Sequence, residues 1–352
     1  MDFCIPYPVS RILYLVSRIP DHDKGGVVTR NPMVMLLAAL ALSQGYAHVQ
    51  AQAYPSRPVR MIVGFPPGGG TDVVARILQP KLTELLGQSV VIDNRPGATG
   101  TVAGGVVAKS PPDGYTIMMG HVAVNAIAQS LFAKLPYDSI RDFAPVTLAA
   151  AVPHIVTVHP SLPVTSVKQL IALARARPGE MSFPSAGNGS TPHLAGEMFK
   201  TMTGTKILHV PYKGTGQSIP DLLAGQHQLA FDTMPAASPY VRSGRMRPLA
   251  VTSVKRVAEF ADLPTVAESG VPGYQMASWY GVFAPAGTPA AIVSRLHAEI
   301  NKAIQAPGTR ERLVENGFDG TVTRTPEEFA AMVRADIVRY AKLVKDAGLQ
   351  ID

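Results

Sequence analysis

From Tyr54 onward, short apolar or β-branched runs alternate with stretches of helical period, and this alternation occurs in two successive series before three helices end the chain. Strand-then-helix alternation of this kind specifies an α/β fold. In the first series the strands read as Val59–Phe65, Ser89–Asp93 and Tyr115–Met119. The helices between them read as Thr71–Leu86, Thr99–Lys109 and Ala123–Phe132. Val74, Ile77, Leu78, Leu82 and Leu85 share one side of the first helix. Pro80 inside it predicts a kink or a break.

Ala149–Val158 is a continuous β-branched run that stops before Pro160 and Pro163. It reads as a strand that leaves the first lobe. The second series follows: helix Ser166–Arg177, strand Met181–Pro184, helix Thr191–Met202, strand Lys206–Val210, helix Gly214–Leu223, and strands Gln228–Asp232 and Arg247–Thr252. A further strand, Ser278–Phe283, precedes helices Pro289–Ile304, Thr309–Asn316 and Thr325–Ala347. Thr288 before Pro289 and Thr325 before Pro326 have the form of a cap followed by a first-turn proline. A helical tail after a second complete series is accounted for if it returns to the first lobe. The expected architecture is therefore α/β and two-lobed. Lobe 1 is discontinuous (54–156 plus 280–352), lobe 2 is continuous (157–279), and two strands between them form a hinge. A length of 352 residues, too many for one core, agrees with two domains.

A hydrophobic fraction of 46% and a charged fraction of 16% belong to a packed globular chain. The net charge of +7 is scattered, with no run of five Lys/Arg and no basic stripe interleaved with aromatics, which argues against nucleic acid as a partner. Cys4 is the only cysteine and precedes every folded-looking segment, so neither an intrachain disulfide nor a thiol site is available. Met33–Leu42 reads MVMLLAALAL, with Arg30 before it and Ala51-Gln52-Ala53 after it. A positive flank, a short apolar core and an A-x-A exit form a secretory signal, too short to span a bilayer. Cleavage is predicted after Ala53, leaving an exported mature chain from Tyr54. Residues 1–30, with Pro6, Pro8, Pro20 and charged residues at 21–24, are unlike a signal's start. Translation from Val27 or Val28 would account for them.

Four segments at strand C-termini could carry chemistry, and ligands bind at such ends in open α/β sheets. Phe65-Pro66-Pro67-Gly68-Gly69-Gly70-Thr71-Asp72 leads into a helix whose free N–H groups and positive dipole end would face an anion. It lacks the Lys-Ser/Thr of a Walker loop and the spacing of a dinucleotide fingerprint. The plain alternative is a tight turn with Thr71 or Asp72 as helix cap. Gly187, Asn188, Gly189, Ser190 and Thr191 repeat the plan in the second series. Ser190 and His193 are close enough in sequence to suggest a catalytic pair, but no G-x-S-x-G and no orienting carboxylate accompany them. Tyr212 and Lys213 follow the next strand, as a pocket wall and a balancing cation or as a solvated loop tip. Asp232 ends another strand, either accepting a ligand amine or hydroxyl or capping the next helix.

With these residues in place, the sequence resembles the Bug family, the substrate-binding receptors of tripartite tricarboxylate transporters. The likeness rests on FPPGGGTD (65–72), NRPGATG (94–100), PPDGYT (111–116), PYKG (211–214), LLAGQ (222–226) and GVFAPAGTP (281–289). It implies a type II periplasmic binding-protein fold and capture of a small carboxylate: a di- or tricarboxylate, an amino acid or an aromatic acid. It also implies that 67–72 and 187–191 pinch the ligand carboxylate, and that Asn125 and Asp232 line the cleft. The implied partners are the membrane subunits of a transporter, or alternatively a sensor protein. The receptor is expected to be a monomer without enzymatic activity, cofactor or metal. The enzymatic alternative is a hydrolase or lyase using Ser190, His193 or Lys213.

Overall fold

A computed structural model describes residues 54–319 and 322–349. The predicted leader, its cleavage point and residues 1–30 lie outside the described residues. The first three strands are β1 (Val59–Val63), β2 (Val90–Asn94) and β3 (Thr116–His121), with α1 (Gly70–Leu86) and α2 (Thr101–Ala108) between them. β1 pairs in parallel with both β2 and β3, a geometry that requires a crossover such as α1. After β3 come a single π turn (Ala123–Ile127) and a short helix, α3 (Ala128–Leu131).

β4 (Phe143–Val158) is the longest strand, at 16 residues. Its first part, through Pro153, pairs antiparallel with β9 (Ala277–Pro285). From His154 onward it pairs with β7 (Leu229–Thr233) and β8 (Arg247–Val251) instead. β9 also pairs with β3, so the sheet runs β2-β1-β3-β9-β4-β7, with β8 on β4 as well. β5 (Ser182–Ser185) and β6 (Leu208–Pro211) form a separate parallel pair. The helices of this half are α4 (Val167–Ala176), α5 (Thr191–Thr203), α6 (Thr215–Leu223) and α7 (Met234–Arg242). The last three are α8 (Ala290–Gln305), α9 (Pro307–Glu315) and α10 (Pro326–Asp346). α8 packs on β4 and α1, and α10 packs on the π turn, α3 and β4.

Several local expectations change. α1 runs through Pro80 as one helix. Pro80 is exposed, so water can reach the Arg76 carbonyl that lacks its amide partner. α7 carries Pro235 and Pro239, which concealed it from periodicity, although a proline in the first turn is harmless. Thr99 does not begin a helix: Ala98 and Thr99 both take positive φ (44° and 55°) in a tight turn before α2. α8 is capped by Pro289 rather than Thr288, whose hydroxyl bonds the Pro285 carbonyl instead.

Candidate functional site

The loop from β1 to α1 is shaped from within by Asp72. Its buried carboxylate accepts from the Gly68 N–H at 2.9 Å, from Arg76 Nε at 2.8 Å and from Asn94 Nδ2 at 2.9 Å. Asn94 Nδ2 also donates to the Phe65 carbonyl at 3.0 Å, so both ends of the loop are tied to one acid–amide pair. Burial alone would raise the pKa of Asp72, but the bonds from Arg76, Gly68 and Asn94 outweigh it and hold the acid below its usual range. α1 has Gly69 as its cap residue and no side-chain cap. The N–H groups of Gly70, Thr71 and Asp72 therefore have no acceptor among the described residues. Pro67 and Gly68 are exposed beside them.

The loop after β5 uses several of its own groups. Gly187 N–H donates to Ser185 Oγ, and Gly187 O accepts from Ser190 Oγ at 2.6 Å. Gly189 N–H donates to His193 Nδ1 at 3.1 Å. Ser190 caps α5, its Oγ accepting the His193 N–H. The Asn188 and Thr191 amides have no acceptor among the described residues. Gly187, Gly189 and Ser190 thus shape this loop, while Asn188 and Thr191 carry its free amides. The Ser190–His193 pair does not assemble as nucleophile and base, because the serine proton goes to Gly187 O and the ring nitrogen takes the Gly189 amide.

β9 brings both helix starts together. Ser278 and Tyr280 alternate with Trp279 and share a face, about 7 Å apart along the strand. Ser278 Oγ lies 2.7 Å from Thr191 Oγ1, at the first residue of α5, and 3.0 Å from His154 Nε2 on β4. Tyr280 reaches the first residue of α1: a Cβ on Gly70 would lie 2.5 Å from the phenol oxygen. That hydroxyl has no hydrogen-bond partner among the described residues. Tyr280 continues an aromatic row with His121 (5.1 Å) and Phe65 (5.3 Å from His121). The positive-φ turn closes the outer side, where Thr99 Oγ1 donates to the Asn188 carbonyl at 3.4 Å.

Asn125 is fully buried in the π turn that follows β3; its Oδ1 accepts from the His121 N–H, and its Nδ2 has no partner among the described residues. The Tyr212 backbone packs against Gly187, but its phenol turns away to Asp221 at 2.6 Å and His227 at 2.9 Å. Lys213 is exposed. Asp232 does not cap α7, whose cap residue is Thr233. Both Asp232 carboxylate oxygens are buried without a partner among the described residues, and burial pushes its pKa up to about 7. Sequence reasoning missed Thr99, His121, His154, Ser278 and Tyr280.

Asp232 gives a pH prediction with a definite sign. Its folded pKa lies above an unfolded value of about 3.9, so the folded state holds the proton more tightly. The associated stability is complete below about pH 4, falls as the pH rises toward about 7, and is then constant. Asp232→Asn should remove that decline from a plot of melting temperature against pH. Superimposable profiles for the two proteins would refute the assignment.

The chain is similar to known proteins over most of its length. The family model described as "Tripartite tricarboxylate transporter family receptor" matches residues 74–349. Protein BugT of Bordetella pertussis is 39% identical over 306 residues, which cover 87% of this chain and 94% of that protein. The solved structure of R. palustris Rpa4515 with adipate is 42% identical, with a TM-score of 0.78, over 85% of this chain and 100% of that one. MatC (Rpa3494) from Rhodopseudomonas palustris, with bound malate, is 32% identical, with a TM-score of 0.74, over 83% and 100%. Sequence and fold agree: the chain belongs to the tripartite tricarboxylate transporter family of receptors, the Bug-type solute-binding proteins, and has their two-lobed α/β fold.

Proposed function

We propose that this chain is a periplasmic receptor that captures a small carboxylate and delivers it to the membrane subunits of a tripartite tricarboxylate-type transporter. The observation that carries the proposal is the convergence of two helix starts over β9, Gly70 against Tyr280 and Thr191 against Ser278. Each start presents free backbone amides, at Gly70–Asp72 and at Asn188 and Thr191. Amides at a helix N-terminus stabilise an anion through directed N–H groups and the helix dipole. Micromolar capture needs only about −8 kcal/mol, within reach of a few charge-assisted bonds of about 1.5–3 kcal/mol each. Asn125 Nδ2 and the Tyr280 hydroxyl, on buried side chains and without a partner among the described residues, are assigned to the rest of the ligand.

The adipate and malate of the two solved relatives support a dicarboxylate as the first candidate. In this reading the lobes are 54–156 with 280–352, and 157–279. The exchange of β4 partners between Pro153 and His154 is the hinge. A ligand that touches both helix starts favours the closed arrangement, which the membrane partner reads.

The test is a thermal-shift and calorimetry screen of the mature chain against adipate, malate, tricarboxylates, amino acids and aromatic acids. At least one small carboxylate should raise the melting temperature and bind at micromolar concentration. Gly70→Val, whose side chain would run into the Tyr280 hydroxyl, should abolish that binding. Failure of every carboxylate, or unchanged affinity in Gly70→Val, would overturn the proposal.

A further inference from the structure

Beneath the 185–190 loop, two imidazoles lie face to face. The rings of His193 (α5) and His209 (β6) stack with centroids 3.9 Å apart and an interplanar angle of 24°. Each ends a hydrogen-bond chain that begins in the loop. In one, Gly189 N–H donates to His193 Nδ1 at 3.1 Å. In the other, Gly187 N–H donates to Ser185 Oγ at 3.1 Å, and that oxygen lies 2.6 Å from His209 Nε2.

Proton positions follow from counting acceptors. Ser185 Oγ is also 3.1 Å from the Gly187 carbonyl. That carbonyl already receives the Ser190 hydroxyl at 2.6 Å and the Ser190 N–H at 3.1 Å, which fills both lone pairs. His209 Nε2, at 2.6 Å, is therefore the better acceptor for the Ser185 proton, and the proton is assigned there. Both rings accept through a lone pair, so both are neutral and in opposite tautomers. His193 carries its proton on Nε2, which lies 3.8 Å from Glu197 Oε1; His209 carries its proton on Nδ1. Burial, followed by the neighbouring His209 and Lys200, holds His193 at about 3, and burial with Lys200 holds His209 at about 4. Glu197 itself is paired with Lys200 at 2.7 Å.

We propose that His193 and His209 are positioning residues of the ligand loop: by drawing the Gly187 and Gly189 amides inward, they turn the Asn188 peptide between them toward the opposite wall. The Asn188 carbonyl already meets Thr99 of that wall. The Asn188 amide is left as a free donor between two amides that are engaged. The inference rests on the receptor reading for its consequence, but not for its geometry.

The test has two arms. Nitrogen-15 NMR at pH 7 should find His193 protonated at Nε2 and His209 at Nδ1, with slow hydrogen exchange at the Gly187 and Gly189 amides. His193→Leu should speed exchange at Gly189 by about tenfold or more, because that amide loses its acceptor; His209→Leu should speed exchange at Gly187 by a smaller factor, because its acceptor, Ser185 Oγ, stays but loses its anchor. In the second arm, with adipate as the probe, both leucine variants should bind about tenfold more weakly. His193→Asn, which places an oxygen near Nδ1, and His209→Gln, which places one near Nε2, should restore protection and affinity. A packing role alone would not produce that rescue. His193 protonated at Nδ1 or His209 at Nε2, rapid exchange at both glycines in the unsubstituted chain, or a lack of rescue would overturn the proposal. If adipate fails to bind the unsubstituted chain, the adipate reading falls while the tautomers and exchange rates still decide the loop geometry.

Discussion

Asp72→Ala is expected to weaken dicarboxylate capture by about 100-fold, the loss of roughly 2.8 kcal/mol. The carboxylate is the internal acceptor for the Gly68 amide, Arg76 and Asn94. Hydrogen bonds to a charged group contribute about 1.5–3 kcal/mol each, and two of the three donors belong to the loop or hold its far end. Without the acid, the chain from Phe65 to Gly70 is no longer drawn over the start of α1, and the free amides there lose their common direction. Asp72→Asn keeps the shape but offers an NH2 group where every neighbour is a donor, so an intermediate loss of about tenfold is expected. Calorimetry with adipate and malate measures both variants, with circular dichroism as the check on folding. Stability should respond to pH in the opposite sense to Asp232. The pKa of Asp72 is depressed on folding, so its contribution is present above about pH 4 and is lost as the pH falls through the folded value. An alanine variant with undiminished affinity would mean that the loop holds its shape without the acid, leaving Asp72 a local ion pair.

What sequence carries is a local pattern. Strand-to-helix glycine loops at 68–70 and 187–189 could be read because backbone N–H groups at a helix start are useful whatever the side chains are. The division of labour inside those loops could not be read. Gly187, Gly189, Ser190 and Asp72 look like ligand donors or acceptors in sequence, yet their polar groups serve Ser185, His193, Gly187 and Arg76. Only three-dimensional pairing reveals which amides remain. Tyr280, Ser278 and His154 were invisible for a related reason. They sit in apolar strand runs, where a polar residue reads as one member of an alternating pattern. Their meaning comes from β4 and β9 pairing across more than 120 positions of sequence. Thr99 was hidden by its backbone: an Ala-Thr pair at positive φ has no signal in composition, and the glycines on either side made a helix start the simpler reading. The return of the helical tail to the first lobe was an expectation from connectivity; α8 and α10 pack on β4, and α8 also on α1.

Phe329→Ala should be the most destabilising single change of those considered, at about 3–5 kcal/mol, the usual cost of emptying a buried phenylalanine site. The ring is fully buried, 5.1 Å from Phe283 and 5.6 Å from Trp279 between centroids. It is placed by the start of α10. Thr325 Oγ1 accepts the Glu328 N–H at 3.1 Å, and Glu328 Oε2 accepts the Arg324 N–H at 2.7 Å, so the first turn is fixed one residue before the ring. Phe329 then lies over Gly281 of β9, where any Cβ would collide with it. The contact matters for the site because Gly281 adjoins Tyr280, so the helix that presses on β9 also sets the strand that gathers both helix starts. Gly281→Ala alone forces the ring or the strand to move and should cost about 1–3 kcal/mol, as overpacking does. In the Phe329→Ala background the same methyl group enters the space left by the ring, and its cost should vanish or reverse. A thermodynamic cycle from denaturant unfolding would read a coupling of at least about 1 kcal/mol. Additive costs would show that the ring and the glycine do not press on each other, and that β9 is positioned by its strand neighbours alone.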